Sequence, residues 1–229
     1  MFPSGVIVSI QPHPQSALSN PASIIAIARE CTTWASALRI EGNNVSIVAD
    51  SVKIPIIGLR KTKINALNTL ITARIEEAKT IAEFGAHYVA MECTDRCDPE
   101  RIGWSVSFGI KVIADVADVE HAIMAEEMGC VAVTTALSGY INKVTHSFVG
   151  PDIALVEACV KKVKIPVIAE GRYWTPKQLG EARDAGAYAV CVGAAITDPK
   201  VLTLHNKICF DGSWKDLAKN EYRDLEYTR

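Results

Sequence analysis

A chain of 229 residues with 24 basic and 26 acidic side chains and 49% hydrophobic content is long enough for one large core, and its scattered lysines and arginines form no basic block of the kind that binds nucleic acid. Neither end combines a charged segment, an apolar run and small residues as a secretory signal does, and no apolar stretch reaches bilayer length, so a cytoplasmic protein without a membrane partner is expected. The seven cysteines (Cys31, Cys93, Cys97, Cys130, Cys159, Cys191 and Cys209) are odd in number, lack C-x-x-C spacing and lie mostly in apolar runs. They read as reduced core residues, and no second soft pair accompanies Cys93 and Cys97 to complete a zinc site.

In chain order, short runs rich in Val, Ile and Ala alternate with helix-length amphipathic segments, the pattern of a parallel sheet covered by helices. Eight strand candidates fall near Val6 to Gln11, Ser36 to Glu41, Pro55 to Leu59, Tyr88 to Glu92, Val112 to Asp115, Val131 to Thr135, Pro166 to Glu170 and Ala189 to Gly193. Helices are expected over Pro21 to Cys31, Val45 to Ser51, Ala73 to Phe84, Pro99 to Phe108, Val119 to Met128, Asp152 to Val163, Pro176 to Ala185 and Pro199 to Phe210. Thr175-Pro176 supplies an N-cap followed by proline at the first helical position. Long loops are expected over Thr62 to Thr72 and Ser138 to Gly150.

Internal echoes support the count. Lys53 to Gly58 (K-I-P-I-I-G) resembles Lys164 to Ala169 (K-I-P-V-I-A), and Phe84 to Val89 resembles Ala185 to Val190. Strand three echoes seven and four echoes eight, which suggests two half-barrels and a single-domain (β/α)8 TIM barrel over residues 1 to 210, with a tail from 211 to 229 of uncertain structure. The alternative, a doubly wound open sheet, would normally carry G-x-G-x-x-G after the first strand, where Gln11-Pro12-His13-Pro14 stands instead.

In such a barrel the C-terminal strand ends carry Gln11, Arg39 with Glu41, Lys61, Glu92 with Thr94 and Arg96, Asp115, Thr135, Glu170 with Arg172, and Gly193. A single polar strand end is ordinarily a solvated end or half of an ion pair; many of them converging on one mouth mark a site. Glycine-bearing turns after strands seven and eight (Glu170-Gly171-Arg172 and Val192-Gly193-Ala194) expose backbone N–H groups of the kind that bind phosphate. Lys61 is a surface charge in the plainest reading. Drawn into a dry mouth, a lysine favours its neutral amine, which can take a proton from carbon, with Glu170 and Asp115 as counterparts. Trp174 and Tyr173 either stack on a sugar ring or brace the loop, and the five histidines show no metal-ligand spacing.

The segments A-L-R-I-E-G (Ala37 to Gly42), P-I-I-G-L-R-K (Pro55 to Lys61), I-A-D-V (Ile113 to Val116), L-S-G-Y (Leu137 to Tyr140), V-I-A-E-G-R-Y-W-T-P (Val167 to Pro176) and V-G-A-A-I-T (Val192 to Thr197) resemble the N-acetylmannosamine-6-phosphate 2-epimerase family of bacterial sialic acid catabolism. The resemblance implies interconversion of N-acetylmannosamine 6-phosphate and N-acetylglucosamine 6-phosphate, with no metal or organic cofactor, by an isomerase that forms a homodimer through its last helix. By position, Lys61 matches the family's catalytic lysine and Glu170 the glutamate beside it. Gln11, Arg39 and Asp115 match residues holding the sugar end, Gly171, Arg172 and Gly193 match the phosphate-binding turns, and Thr94 and Arg96 stand in a T-x-R turn. The chain departs from the family at Thr62 and Lys63, and at Asp198, which replaces an arginine thought to help hold phosphate. Those departures leave two alternatives: a barrel isomerase acting on a related sugar phosphate, or a degenerate barrel that binds a ligand without catalysis.

Overall fold

The structure, a computed structural model, describes residues 2–65, 68–141 and 150–211, so the tail from 212 to 229 and most of the expected Ser138 to Gly150 loop lie outside the described residues. In chain order the strands are β1 (Gly5–Ile10), β2 (Ala37–Glu41), β3 (Ile56–Leu59), β4 (Lys61–Asn65), β5 (Asn68–Ile71), β6 (Tyr88–Glu92), β7 (Val112–Asp115), β8 (Ala132–Thr134), β9 (Val167–Glu170) and β10 (Ala189–Val192). The helices are α1 (Pro21–Cys31), α2 (Asn44–Ala49), α3 (Ile75–Glu83), α4 (Glu100–Ser107), α5 (Val119–Glu127), α6 (Ile153–Lys162), α7 (Pro176–Asp184), α8 (Ala194–Thr197) and α9 (Pro199–Phe210).

Eight of the strands close into a parallel ring in the order β1-β10-β9-β8-β7-β6-β3-β2. This is a (β/α)8 barrel, and its strands are the eight expected from the alternating pattern. The pleat sends successive side chains to opposite faces, so every strand contributes to two cores. Ile7, Ala37, Ile57, Ala90, Ile113 and Ile168 fill the barrel interior. Their sequence neighbours Val8, Leu38, Ile56, Met91, Val112 and Val167 face outward, where Ile24, Val48, Ile81 and Val156 of the helices cover them. Complete burial of one such aliphatic side chain contributes about 1.5–3 kcal/mol. At the N-terminal end of the barrel the Phe2 ring packs edge-on against Tyr88 at 5.0 Å, and the Tyr188 hydroxyl donates to the Phe2 carbonyl at 2.8 Å.

Local chemistry fixes the helix starts. Asn20, Asp118, Asp152, Thr175 and Asp198 each accept a hydrogen bond from a main-chain N–H in the first turn of the helix that follows, and Pro21, Pro176 and Pro199 occupy the first helical position. Each such cap is worth about 1 kcal/mol.

The stretch from Thr62 to Thr72 differs from the expected loop. It forms most of an antiparallel hairpin, β4–β5, in which Lys61 is registered opposite Ile71 and Lys63 opposite Thr69. Thr72 closes the base: its N–H donates to the Arg60 carbonyl at 2.7 Å, and its hydroxyl accepts from the Arg60 N–H at 3.0 Å.

Gly58 sits mid-strand in β3 where α3 packs closest. A Cβ there would run into Ile81 Cγ2 and the Ala86 methyl, two side chains already fixed in the outer core. Gly58→Ala is therefore expected to destabilise the protein by about 1–3 kcal/mol through overpacking. Chemical denaturation reads this directly, and an unchanged midpoint would contradict the packing described.

Candidate active site

Along six of the eight barrel strands the inner column is apolar until its last position and polar there: Ile7 then Ser9, Ala37 then Arg39, Ala90 then Glu92, Ile113 then Asp115, Ala132 then Thr134, Ile168 then Glu170. The strand register sets these ends beside one another, Ser9 against Arg39, Glu92 against Asp115, Asp115 against Thr134, and Glu170 against Cys191. A ring of polar groups therefore caps the apolar interior at the C-terminal face, where barrel enzymes place their chemistry.

Arg39 is the centre of this ring. Its guanidinium, almost wholly buried, grips Asp115 in two parallel hydrogen bonds, Nη1 to Oδ1 at 3.1 Å and Nη2 to Oδ2 at 2.5 Å, and Nη1 also lies 3.3 Å from Glu170 Oε2. Thr134 Oγ1 donates to Asp115 Oδ1 at 3.2 Å. Burial opposes the charge on Arg39, yet the Asp115 and Glu170 carboxylates more than offset it and hold its pKa above the ordinary arginine value.

Glu170 is placed differently from Asp115. Burial raises its pKa above the usual carboxylate value; Arg39 works against that, and the negative charge of Asp115 adds to it. Its carboxyl therefore holds a proton more readily than an ordinary glutamate. The Cys191 thiol on the neighbouring strand is pushed well up by burial and then by Glu170, so it stands as a neutral hydrogen-bonding group.

Lys61 begins β4 directly beyond the end of β3. Its Nζ lies 3.9 Å from Glu41 Oε2 at the end of β2, with both side chains partly open to solvent. In the ring, β3 and β9 are diametrically opposite, so Lys61 follows the strand that stands across the barrel from the one that ends in Glu170. The carboxylates beside them are thus Glu41 for Lys61 and, across the barrel, Asp115 for Glu170. Gln11 follows β1 and donates from Nε2 to Ser9 Oγ at 2.7 Å.

The turns after β9 and β10 complete the rim. Gly171 and Arg172 both take positive φ, 108° and 61°, a conformation natural for the glycine and strained for the arginine. Side-chain tethers hold the strained residue: Arg172 Nε donates to the Gly150 carbonyl and Nη1 to the Ser138 carbonyl, each at 2.9 Å. At Gly193 a Cβ would meet Ser9 only at ordinary contact distance, 3.7 Å, so packing leaves room above that backbone.

Other expectations resolve as follows. Thr135, expected at the mouth, points away from it. It ties β8 to β9 through its hydroxyl, which donates to the Glu170 carbonyl and accepts from the Glu170 N–H, both at 3.0 Å, while Thr134 takes the inward place. Trp174 stacks on His205 of α9 with ring centroids 4.4 Å apart, a bracing contact. Asp198 caps α9, accepting from Lys200 N–H at 3.1 Å and Val201 N–H at 3.2 Å. Thr94 and Arg96 both bond to Glu92. Sequence reasoning passed over Thr134, Cys191 and the pairing of Glu41 with Lys61. Counting two residues on from the interior Ala132 and Ala189 would have found the first two.

A closed parallel barrel with a buried arginine and two carboxylates at the C-terminal ends of its strands defines a (β/α)8-barrel enzyme. The sequence profile of the N-acetylmannosamine-6-phosphate epimerase (NanE) family matches residues 22–208. A protein named N-acetylmannosamine-6-phosphate 2-epimerase from Klebsiella pneumoniae subsp. pneumoniae is 39% identical over 199 residues, which cover 84% of each chain. One of the same name from Caldanaerobacter subterraneus subsp. tengcongensis is 35% identical over 210 residues, covering 87% of this chain and 88% of its own. The solved structure of the N-acetylmannosamine-6-phosphate 2-epimerase from Clostridium perfringens superposes with a TM-score of 0.82 at 30% identity, over 92% of this chain and 93% of the other. The chain belongs to the NanE family of epimerases, enzymes of the isomerase class.

The raised pKa of Glu170 has a signed consequence for stability. Below the ordinary value of 4.5 the carboxyl is protonated in both folded and unfolded chains. As pH rises beyond that, the unfolded chain loses the proton first, so this group withdraws stability until the folded-state pKa is passed. Glu170→Gln cannot titrate, and its melting temperature relative to wild type is expected to climb as pH rises above the ordinary glutamate value of 4.5. A pH-independent difference would contradict the assigned environment.

Proposed function

We propose that this chain interconverts N-acetylmannosamine 6-phosphate and N-acetylglucosamine 6-phosphate at C2, with Lys61 as the acid/base group. The observation that carries the reading is the placement of Lys61, just beyond β3, across the ring from Glu170 at the end of β9, with a guanidinium held charged by Asp115 next to Glu170. Family membership supplies the substrate, since the relatives compared above are named for it.

The chemistry follows from the sugar. In the open-chain aldehyde the C2 hydrogen is α to a carbonyl, so its loss gives an enediolate-type anion whose charge sits largely on the carbonyl oxygen. Lys61, in its neutral form, takes that proton. Arg39, fixed in orientation before substrate arrives, favours the oxygen's negative charge without having to reorganise. Glu170, whose carboxyl retains a proton readily, exchanges one with a sugar oxygen from the opposite side of the mouth. The Lys61 ammonium so formed returns a proton to the other face of C2 once the planar anion has turned over in the site, which gives the epimer and restores the neutral amine. Gln11 and Asp115 bound the sugar end.

The 6-phosphate is assigned to the turns at Gly171, Arg172 and Gly193. Much of the Arg172 guanidinium is committed to the Ser138 and Gly150 carbonyls, so its part in anion binding is its main-chain N–H and its remaining charge. Asp198 spends its carboxylate on the first turn of α9, which lessens the repulsion it would exert on a phosphate dianion. We further propose that the protein acts in the cytoplasm as a homodimer. The apolar Phe210, 91% exposed at the end of α9, supports a contact there.

Lys61→Ala is expected to leave the barrel folded and to abolish exchange of the substrate C2 hydrogen with deuterated water, a fall of at least about 1,000-fold for loss of the group that moves the proton. Undiminished exchange in the purified variant would rule out the role given to Lys61.

A further inference from the structure

Glu92 is the one carboxylate of the polar ring with no part in the chemistry above, although its side chain is fully buried. Four hydrogen bonds satisfy it. Thr94 Oγ1 donates to Oε1 at 2.6 Å, Arg96 Nε to Oε1 at 2.7 Å, Arg96 Nη2 to Oε2 at 2.9 Å, and the main-chain N–H of Ile71 to Oε2 at 3.3 Å. The last of these comes from the hairpin. Arg96 adds a second link to it, because Nη2 also donates to the Thr69 carbonyl at 3.2 Å.

A neighbouring arginine repeats the pattern one turn later. Arg101, buried at the start of α4, donates from Nη1 to the Thr72 carbonyl at 3.2 Å and from Nη2 to the Glu92 carbonyl. Both arginines thus join the end of β6 to β5 and the residue that follows it. The joined backbone is strained: Thr72 is β-branched and fully buried, yet has φ of 45°. That conformation persists only where its surroundings over-determine it, and such strain gathers at functional sites. The strand so held is the ladder partner of Lys61, with Ile71 directly opposite it.

We propose that Glu92, acting with Arg96, is a positioning residue for Lys61. The carboxylate fixes β5 through Ile71 and Thr69, β5 fixes β4 through the ladder, and the Lys61 backbone is thereby set at one height over the mouth. An exposed hairpin fastened only at its strand ends would rock, and its first residue with it. Neutralising Glu92 removes the charge from its bonds to Arg96 and loosens the strand without touching any group that meets the substrate.

The inference rests on the reading of Lys61 as the proton carrier, so its test keeps the two apart. Steady-state kinetics on N-acetylmannosamine 6-phosphate are measured for Glu92→Gln and Arg96→Lys across pH, together with main-chain amide exchange over residues 61–71. We expect kcat to fall about 10- to 100-fold, as for a displacement of the order of 1 Å, with KM changed by less than about threefold. The limb of the pH profile that Lys61 governs is expected to move, and amide exchange in the hairpin to quicken. Wild-type kcat and pH profile in a folded variant, even one with a lower melting temperature or faster exchange, would overturn the proposal. If Glu92→Gln does not fold, Arg96→Lys, which keeps the cation but loses the two-pronged geometry, decides the matter by the same readouts. Failure of the Lys61 reading shows separately, as C2 exchange surviving in Lys61→Ala.

Discussion

A guanidinium at the top of a closed barrel interior has lost most of its water, and it stays charged because two carboxylates stand beside it. Arg39 and Asp115 are 76 residues apart in the chain and meet because the sheet closes into a ring. Removing one partner from such a buried pair leaves a charge without compensation and costs about 3–5 kcal/mol, whereas the intact pair contributes little net stability. Its value lies in what it organises. The bidentate grip fixes the plane of the guanidinium before any ligand arrives and sets the field in which Glu170 titrates.

The stretch of rim between β2 and β7 is built on another principle. Lys61 stands on no barrel strand; it begins a two-stranded ribbon that rises from β3, and its charge is partly open to solvent. A side chain carried on so small an element requires outside support to hold one position, since an isolated hairpin is at best marginally stable. The support comes from the end of β6 and the segment that leads into α4, where Glu92, Arg96 and Arg101 reach the ribbon and its base by charge-assisted hydrogen bonds. The mouth therefore has one part buried and paired within the barrel, and another mounted on a ribbon that side chains of the neighbouring segment hold by hydrogen bonds. The two parts meet at neighbouring strands, Glu92 being registered opposite Asp115.

The sequence carried the fold in unusual detail, for a physical reason. Both internal echoes, Lys53 to Gly58 with Lys164 to Ala169 and Phe84 to Val89 with Ala185 to Val190, correspond to strand pairs that face each other across the ring, β3 with β9 and β6 with β10. Arg39, Glu92, Asp115 and Glu170 stand at one end of the barrel because a side-chain period of two continues from apolar to polar without a break. The hairpin was not legible. Asn65-Ala66-Leu67-Asn68 has none of the Asn-Gly or Gly-X signals of a tight two-residue turn, and the two arginines that fasten the ribbon come from later segments. Nor were the pairings legible: local sequence places Arg39, Asp115 and Glu170 at strand ends, but only strand order and register decide that Arg39 takes Asp115 and stands beside Glu170, while Lys61 lies beside Glu41. Thr134 and Thr135 illustrate the same limit, since a shift of one residue exchanges the mouth for the outer layer.

The central claim is that this constellation labilises the C2 hydrogen of an open-chain 2-acetamido sugar phosphate. The most direct measurement is to incubate the wild-type protein with N-acetylmannosamine 6-phosphate in deuterated water and follow C2 by NMR. The C2 proton signal is expected to decay while N-acetylglucosamine 6-phosphate accumulates carrying deuterium at C2. A C2 proton that persists, with no second epimer formed, would contradict the claim.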